Sequence, residues 1–214
     1  MLGPAIKICG ISTAQALQAA LKARADYVGL VFYPPSPRHL TLADAAELGA
    51  QAAGHTLRVG LFVDADDALL GDAVAAAQLD VLQLHGDESP ARVAELKARF
   101  GLPVWKALPI AAPDDVRRAE AYISVADLIL FDAKTPKGTL PGGMGLSFDW
   151  KLVAGWKGAC AWGLAGGLSA ENVAEAVRLT AAPLVDTSSG VESAPGVKDA
   201  VKIAAFCKAA RLNS

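Results

Sequence analysis

Short aliphatic runs recur along this chain, each followed by a loop and then by an alanine-rich stretch of helical periodicity, and that repeat limits the possible folds more than any other feature. The expected strands are residues 5–9, 27–32, 56–63, 81–85, 104–108, 128–132, 159–164 and 184–186. The expected helices between and after them are 13–24, 42–53, 65–77, 91–100, 113–124, 148–154, 170–180 and 197–211, with Ser12, Thr41, Asp64, Ser89, Ser147 and Ser169 read as N-caps. Runs such as Leu128-Ile129-Leu130-Phe131 are apolar at every position, as a parallel strand is when helices cover one face and a packed interior the other. Eight such units in 214 residues predict an α/β chain folded as a single (β/α)8 barrel over residues 1–214. An open doubly wound sheet has fewer strands and a glycine-rich first turn, whereas here that turn reads Cys9-Gly10-Ile11-Ser12.

Composition narrows the possible partners. A hydrophobic share of 53% with 20% charged residues is too apolar for a disordered chain, and no apolar run reaches the roughly 18 residues that cross a bilayer. The start, from Met1 to Lys7, has neither a basic leader nor a long apolar segment, so a cytoplasmic location is expected. Cys9, Cys160 and Cys207 are widely spaced, which argues against a disulfide framework or a zinc site and for free thiols. A net charge of −2 with scattered Lys and Arg offers no footprint for nucleic acid or a membrane surface. The expected partner is a small molecule, with the chain a monomer or a homodimer.

In closed barrels the chemistry sits at the carboxyl ends of the strands. Cys9 closes the first strand, where a cysteine alone reads more readily as a small buried hydrophobe than as a reactive group. Cys160 begins a strand and Cys207 lies on the last helix, both positions for packing. Asp132 emerges from an apolar strand, as a loop anchor or as an acid. His85 ends the fourth strand and Asp186 the eighth, where each can orient a substrate or satisfy nearby backbone. Gly166-Gly167 and Ser188-Ser189-Gly190 can be simple tight turns, but their pairing on strands seven and eight matches the recurrent phosphate cradle of such barrels. Arg38, on a loop stiffened by Pro34, Pro35 and Pro37, has the planar fork that suits a carboxylate, and it also reads as an ordinary surface arginine. Lys134 and Lys137 read as solvated or ion-paired, and Trp150 as a packing residue.

Six segments, in order, carry a resemblance that covers essentially the whole chain: Lys7-Ile8-Cys9-Gly10, Ser36-Pro37-Arg38, Gln83-Leu84-His85-Gly86, the run from Pro141-Gly142-Gly143 to Phe148-Asp149-Trp150, Leu164-Ala165-Gly166-Gly167-Leu168 with Asn172, and Val185-Asp186-Thr187-Ser188-Ser189-Gly190-Val191-Glu192 with Pro195-Gly196-Val197-Lys198-Asp199. The chain resembles the phosphoribosylanthranilate isomerases. Met144 stands where a small polar residue is expected and is the one departure. The resemblance implies a cofactor-free Amadori rearrangement of N-(5-phosphoribosyl)anthranilate in tryptophan biosynthesis, with Cys9 as general base, Asp132 as general acid and Arg38 on the anthranilate carboxylate. His85 and Asp186 are then substrate-binding, and Gly166, Gly167, Ser188, Ser189 and Gly190 hold the phosphate. An acid that donates near neutrality is kept protonated by apolar walls and a nearby anion. A thiolate base needs activation, and strand alternation puts Lys7 on the same face as Cys9 but deeper, where its charge is not expected to help. Two other readings stand beside this one. The histidine-pathway isomerase of the same fold normally has Asp at the position of Cys9, and a non-catalytic sugar-phosphate-binding barrel has no need of Cys9 and Asp132 together.

Overall fold

The computed structural model describes residues 3–135 and 142–212; Lys137 and Pro141 fall outside the described residues. Eight parallel strands close into a barrel in sequence order: β1 (Ala5–Cys9), β2 (Tyr27–Phe32), β3 (Leu57–Phe62), β4 (Val81–Leu84), β5 (Val104–Ile110), β6 (Leu128–Ala133), β7 (Ala161–Leu164) and β8 (Leu184–Thr187). The helices between them are α1 (Ala14–Lys22), α2 (Leu42–Ala52), α3 (Asp67–Ala77), α4 (Pro90–Phe100), α5 (Pro113–Arg117) and α6 (Val173–Thr180), with α7 (Ala200–Arg211) after β8.

Side-chain alternation divides the core in two. Residues such as Ile8, Leu17, Phe62, Phe131 and Phe206 fill the layer between sheet and helices. Val59, Val81, Trp105, Leu128, Leu130 and Leu184 fill the barrel itself, and above them Cys9, Val31 and Leu61 form a smaller cluster near the carboxyl ends of the strands. At the opposite end one device recurs three times. Asp26, Asp80 and Asp127 each precede a strand, and each carboxylate accepts from the backbone N–H of the strand before it, Ile6, Arg58 and Val104 respectively, at 2.8 Å. Their own N–H groups return a bond to the carbonyls of those same three residues. Charge-assisted bonds of this kind contribute about 1–2 kcal/mol each and lock neighbouring strands in register.

Several local expectations are corrected. Thr13, not Ser12, caps α1, and Asp66, not Asp64, caps α3. Asp64 instead takes φ 48° and turns its carboxylate to the N–H of Asp87 in the next loop. Thr41 and Ser89 cap α2 and α4 as expected. The region 113–124 is α5 followed by a 3-10 turn, Arg118–Ala121, which seats buried Tyr122 with its hydroxyl donating to Glu88 O. The helix expected over 148–154 is only the 3-10 turn Trp150–Leu152, capped by Asp149 rather than Ser147 and followed by Gly155 at φ 78°. Ser169 caps nothing; its N–H donates to the side chain of Asn172, from which α6 starts. The last helix begins at Ala200, because Asp199 accepts from the N–H groups of Val201 and Lys202, while Val197–Lys198 (β10) pairs with Glu192–Ala194 (β9) in a hairpin.

Candidate active site

A cleft of about 780 Å³, open mouth included, lies at the carboxyl ends of the strands and is lined by all ten residues singled out above: Cys9, Arg38, His85, Asp132, Asp186 and the Gly166, Gly167, Ser188, Ser189 and Gly190 turns. Strand order explains the grouping. β7 and β8 stand between β6 and β1, so their glycine-rich loops are flanked by Asp132 on one side and Cys9 on the other.

Cys9 is buried against Val31 and Leu61, opposite Gly29 on β2. The absence of a side chain at Gly29 makes that fit possible, since a Cβ there would lie 2.7 Å from Cys9 Sγ. Gly29→Ala is expected to push the thiol aside and reduce kcat by about 10- to 100-fold, because small misplacements of a reacting group are costly. A loss confined to stability, measured by urea unfolding beside steady-state rates, would make the thiol a packing group.

Beneath Cys9 lies a buried ion pair. Register sets Lys7 of β1 directly across from Asp186 of β8, and Lys7 Nζ donates to Asp186 Oδ2 at 2.9 Å with no exposure of the lysine. The expectation for Lys7 is therefore corrected: it is deep, as alternation required, but it is ion-paired with Asp186 and its charge acts on the Cys9 thiol. Burial alone would lower its pKa, yet Asp186 and Cys9 more than offset that and hold the ammonium above its ordinary value. For Cys9 burial dominates and pushes the thiol up; Lys7 draws it back down, Asp186 adds to burial and Lys198 works with Lys7. Asp186 Oδ1 and Gln83 Oε1 are buried in the cleft wall without a hydrogen-bond partner among the described residues. With one of its two oxygens unmet, burial pushes the Asp186 carboxyl up despite Lys7. Such acceptors suit hydroxyl groups on a ligand. By contrast Cys160 and Cys207 pack in the outer core, and burial pushes the Cys207 thiol up to about 11.

Asp132 accepts at Oδ1 from the N–H of Ala133 at 2.8 Å, and its Oδ2 lies 3.1 Å from His85 Nε2. Gln83 Nε2 lies 3.2 Å from His85 Nδ1 and, as an amide donor, assigns the proton to His85 Nε2, which then donates to Asp132. Both donors can receive negative charge as a proton leaves the carboxyl group.

Arg38 is buried, not a surface residue, and its Nε and Nη2 grip Glu192 at 2.7 and 2.8 Å, with Nη2 also donating to Gly143 O at 3.1 Å. Its Nη1 faces Gly143. Glu192 takes a second cation, Lys198, whose Nζ also donates to Ser188 O at 3.0 Å and Ser188 Oγ at 3.2 Å. Glu192 and Lys198 received no role from the sequence, although both stand in the segments that carry the resemblance; what hid them is that the β9–β10 hairpin folds one onto the other. Gly166 and Gly167 have φ of 84° and 64°, and a Cβ on Gly166 would lie 2.6 Å from Ala133 N, so the β7 loop packs close against β6. Asn172 braces that loop, donating to Gly167 O at 2.9 Å. Lys134 pairs with Asp115, and Trp150 packs on the outer core. Met144, in the turn over the cleft, is 47% exposed.

A closed (β/α)8 barrel that gathers a thiol, a carboxyl and an imidazole around one cleft at the carboxyl ends of its strands defines a barrel enzyme of the acid–base type. Residues 6–209 match the model of the N-(5'-phosphoribosyl)anthranilate (PRA) isomerase family. The chain belongs to that family. It is 55% identical over 207 residues to the N-(5'-phosphoribosyl)anthranilate isomerase of Paramagnetospirillum magneticum, covering 96% of each chain, and 58% identical over 202 residues to that of Paracoccus denitrificans, covering 94% of each. Among solved structures it resembles phosphoribosyl anthranilate isomerase from Thermotoga maritima, with a TM-score of 0.88, 35% identity and coverage of 97% of this chain and 98% of that one. It is also similar, at a TM-score of 0.85, 33% identity and the same coverage, to a phosphoribosyl anthranilate isomerase in complex with reduced 1-(o-carboxyphenylamino)-1-deoxyribulose 5-phosphate.

Proposed function

We propose that the chain performs the tryptophan-pathway isomerisation of N-(5-phosphoribosyl)anthranilate to 1-(2-carboxyphenylamino)-1-deoxyribulose 5-phosphate, with Cys9 as base and Asp132 as acid. The observation that carries the reading is the convergence of Cys9, Asp132 and the two glycine-bearing loops on one cleft. Asp132 protonates the ribose ring oxygen, the furanose opens, and the nitrogen lone pair completes a protonated Schiff base at C1. Cys9 then removes the proton from C2, and the electron pair moves into the C1–C2 bond to neutralise the iminium. The resulting enolamine takes a proton at C1 while its C2 hydroxyl gives up its own, and the C2 ketone forms. The iminium is itself the electron sink, so this chemistry needs no cofactor.

The 5'-phosphate is assigned to the Gly166-Gly167 and Ser188-Ser189-Gly190 loops, where glycine permits close backbone approach. Lys198, bonded to Ser188, adds positive charge beside them. The anthranilate carboxylate is assigned to Arg38 through Nη1, the nitrogen that Glu192 leaves open. Asp186 Oδ1 and Gln83 Oε1 are the acceptors for sugar hydroxyls. We place the enzyme in the cytoplasm, consistent with free thiols at Cys9, Cys160 and Cys207.

Loss of substrate fluorescence on adding the purified protein tests the reading. Turnover of the anthranilate ribotide is expected, and preference for the aminoimidazole carboxamide ribotide of the histidine pathway would reverse it. The same assay tests the base. Because burial holds the thiol above its ordinary range, lowering pH removes the thiolate, so kcat/KM is expected to rise with pH from neutral into the alkaline range. Lys7→Met removes the main opposing charge and is expected to move that rise to higher pH. An unchanged profile would separate Lys7 from the base.

A further inference from the structure

One buried cation has no part in the steps above. Lys106 on β5 is 1% exposed and points away from the barrel interior into the layer between sheet and helices, where it faces the Tyr122 ring. Its ammonium group spends its three donors on Gly86 O at 2.6 Å, Leu84 O at 3.3 Å and Glu88 Oε2 at 3.0 Å. Leu84 O belongs to the peptide that enters His85, and Gly86 O to the next peptide after the one that leaves it.

Glu88 continues the lattice. Its carboxylate accepts from Gly86 N, at 3.0 and 3.2 Å, and from Asp64 N at 2.9 Å, while Asp64 accepts from Asp87 N at 2.8 Å. Gly86 leaves room for this, since a Cβ there would meet the Asp64 carboxylate at 2.5 Å. The loops after β3 and β4 thus form one hydrogen-bonded unit outside the barrel. His85 leads from it to the acid, its Nε2 lying 3.1 Å from Asp132 Oδ2.

Replacing a buried ion pair by apolar groups is often neutral or stabilising, so stability alone does not account for Lys106 and Glu88. Orientation does. Lys106 holds the peptide plane that enters His85 through Leu84 O, and Glu88, its ion-pair partner, holds the plane that leaves it through Gly86 N; fixing those two planes aims the side chain, and a hydrogen bond to a reacting carboxyl is sensitive to displacements well below 1 Å. We propose that Lys106 is a positioning residue for the acid, acting through His85: together with Glu88 it clamps the peptides on both sides of that residue so that the imidazole meets Asp132. The proposal rests on the reading of Asp132 as the general acid.

The experiment pairs kinetics with nitrogen-15 NMR of the imidazole rings. The chain has three histidines, His39, His55 and His85, so the His85 ring signals are assigned by their loss in His85→Ala. Lys106→Met/Glu88→Gln removes both charges and leaves neither partner ionised alone. The expected result is a kcat reduced by about 10- to 100-fold with KM within about threefold, as for loss of an interaction made with the transition state. The His85 Nε2 signal is expected to move while those of His39 and His55 stay. In a His85→Ala background the same pair of substitutions is expected to cause no further loss. An equal loss in that background, or an unmoved His85 signal, would overturn the proposal. Should the double variant not fold, Lys106→Gln retains two donors and is expected to give intermediate shifts in both readouts; wild-type values would overturn the proposal. The NMR arm needs no substrate, so it decides the Lys106–His85 link even if the wild-type protein fails to turn over the ribotide.

Discussion

Cys9→Ser is expected to lower kcat by about 1,000-fold or more, a loss within the range for removal of a general base from a carbon-acid step. The side chains are nearly isosteric, so the substitution isolates chemistry from shape. A hydroxyl in the position of the thiol, among Val31 and Leu61, ionises far less readily, and neither Lys7 nor Lys198 compensates. The stability cost is expected to be about 1–2 kcal/mol for placing a more polar group in that cluster, measurable by urea unfolding. Cys9→Ala is expected to match Cys9→Ser in rate despite the smaller volume. If alanine or serine retained near-normal kcat, Cys9 would be a core residue and the proton at C2 would leave by another route.

The second large effect is expected for Asp132→Asn. An amide keeps the volume, but its single oxygen can take only one of the two bonds, from the N–H of Ala133 or from His85 Nε2, and it has no acidic proton for the ring oxygen. A fall in kcat of about 100- to 10,000-fold follows if ring opening needs that proton. His85 sharpens the test. In the Asp132→Asn variant the amide oxygen either stays on Ala133 N–H, which turns the NH2 toward His85 Nε2, or turns to His85, so the His85 ring signals report which bond is kept. A low kcat with His85 undisturbed assigns the loss to the missing proton. A low kcat with His85 displaced assigns part of it to geometry, and an unchanged kcat removes Asp132 from the acid role.

The barrel was legible in the sequence because its signal is repeated. Apolar runs buried on both faces and alanine-rich segments between them need no tertiary information, and the strand-end motifs follow from where barrels place polar residues. Boundaries were less legible, and for a common reason. Asp64 and Ser169 have the chemistry of caps, but each is engaged by a neighbour across space, Asp87 for one and Asn172 for the other. Asp199 stops the last helix from starting at Val197, and the two-residue strand before it appears only once Glu192–Ala194 is there to pair with.

The same limit governs the site. The ten residues named from strand ends and their loops all line the cleft, but their partners could not be named. Alternation correctly buried Lys7, and only the register of β1 against β8, which sequence does not give, supplies Asp186 and makes the charge tolerable beside Cys9. Arg38 read as a free fork and proved to be half committed to Glu192. Lys106 lies on an apolar strand with nothing nearby in sequence to suggest that the backbone around His85 is its partner.

The central claim is that Cys9 and Asp132 act on one sugar held by its phosphate between them. A crystal structure of this protein with the reduced product 1-(o-carboxyphenylamino)-1-deoxyribulose 5-phosphate tests it directly. The expected complex has the phosphate against Gly167 and Ser189, the Asp132 carboxyl near the sugar oxygen released on ring opening, and Cys9 Sγ within about 3–4 Å of C2, a near-attack separation. A phosphate seated at the opposite end of the barrel, or a C2 that Cys9 cannot reach while Asp132 contacts the sugar, would contradict it.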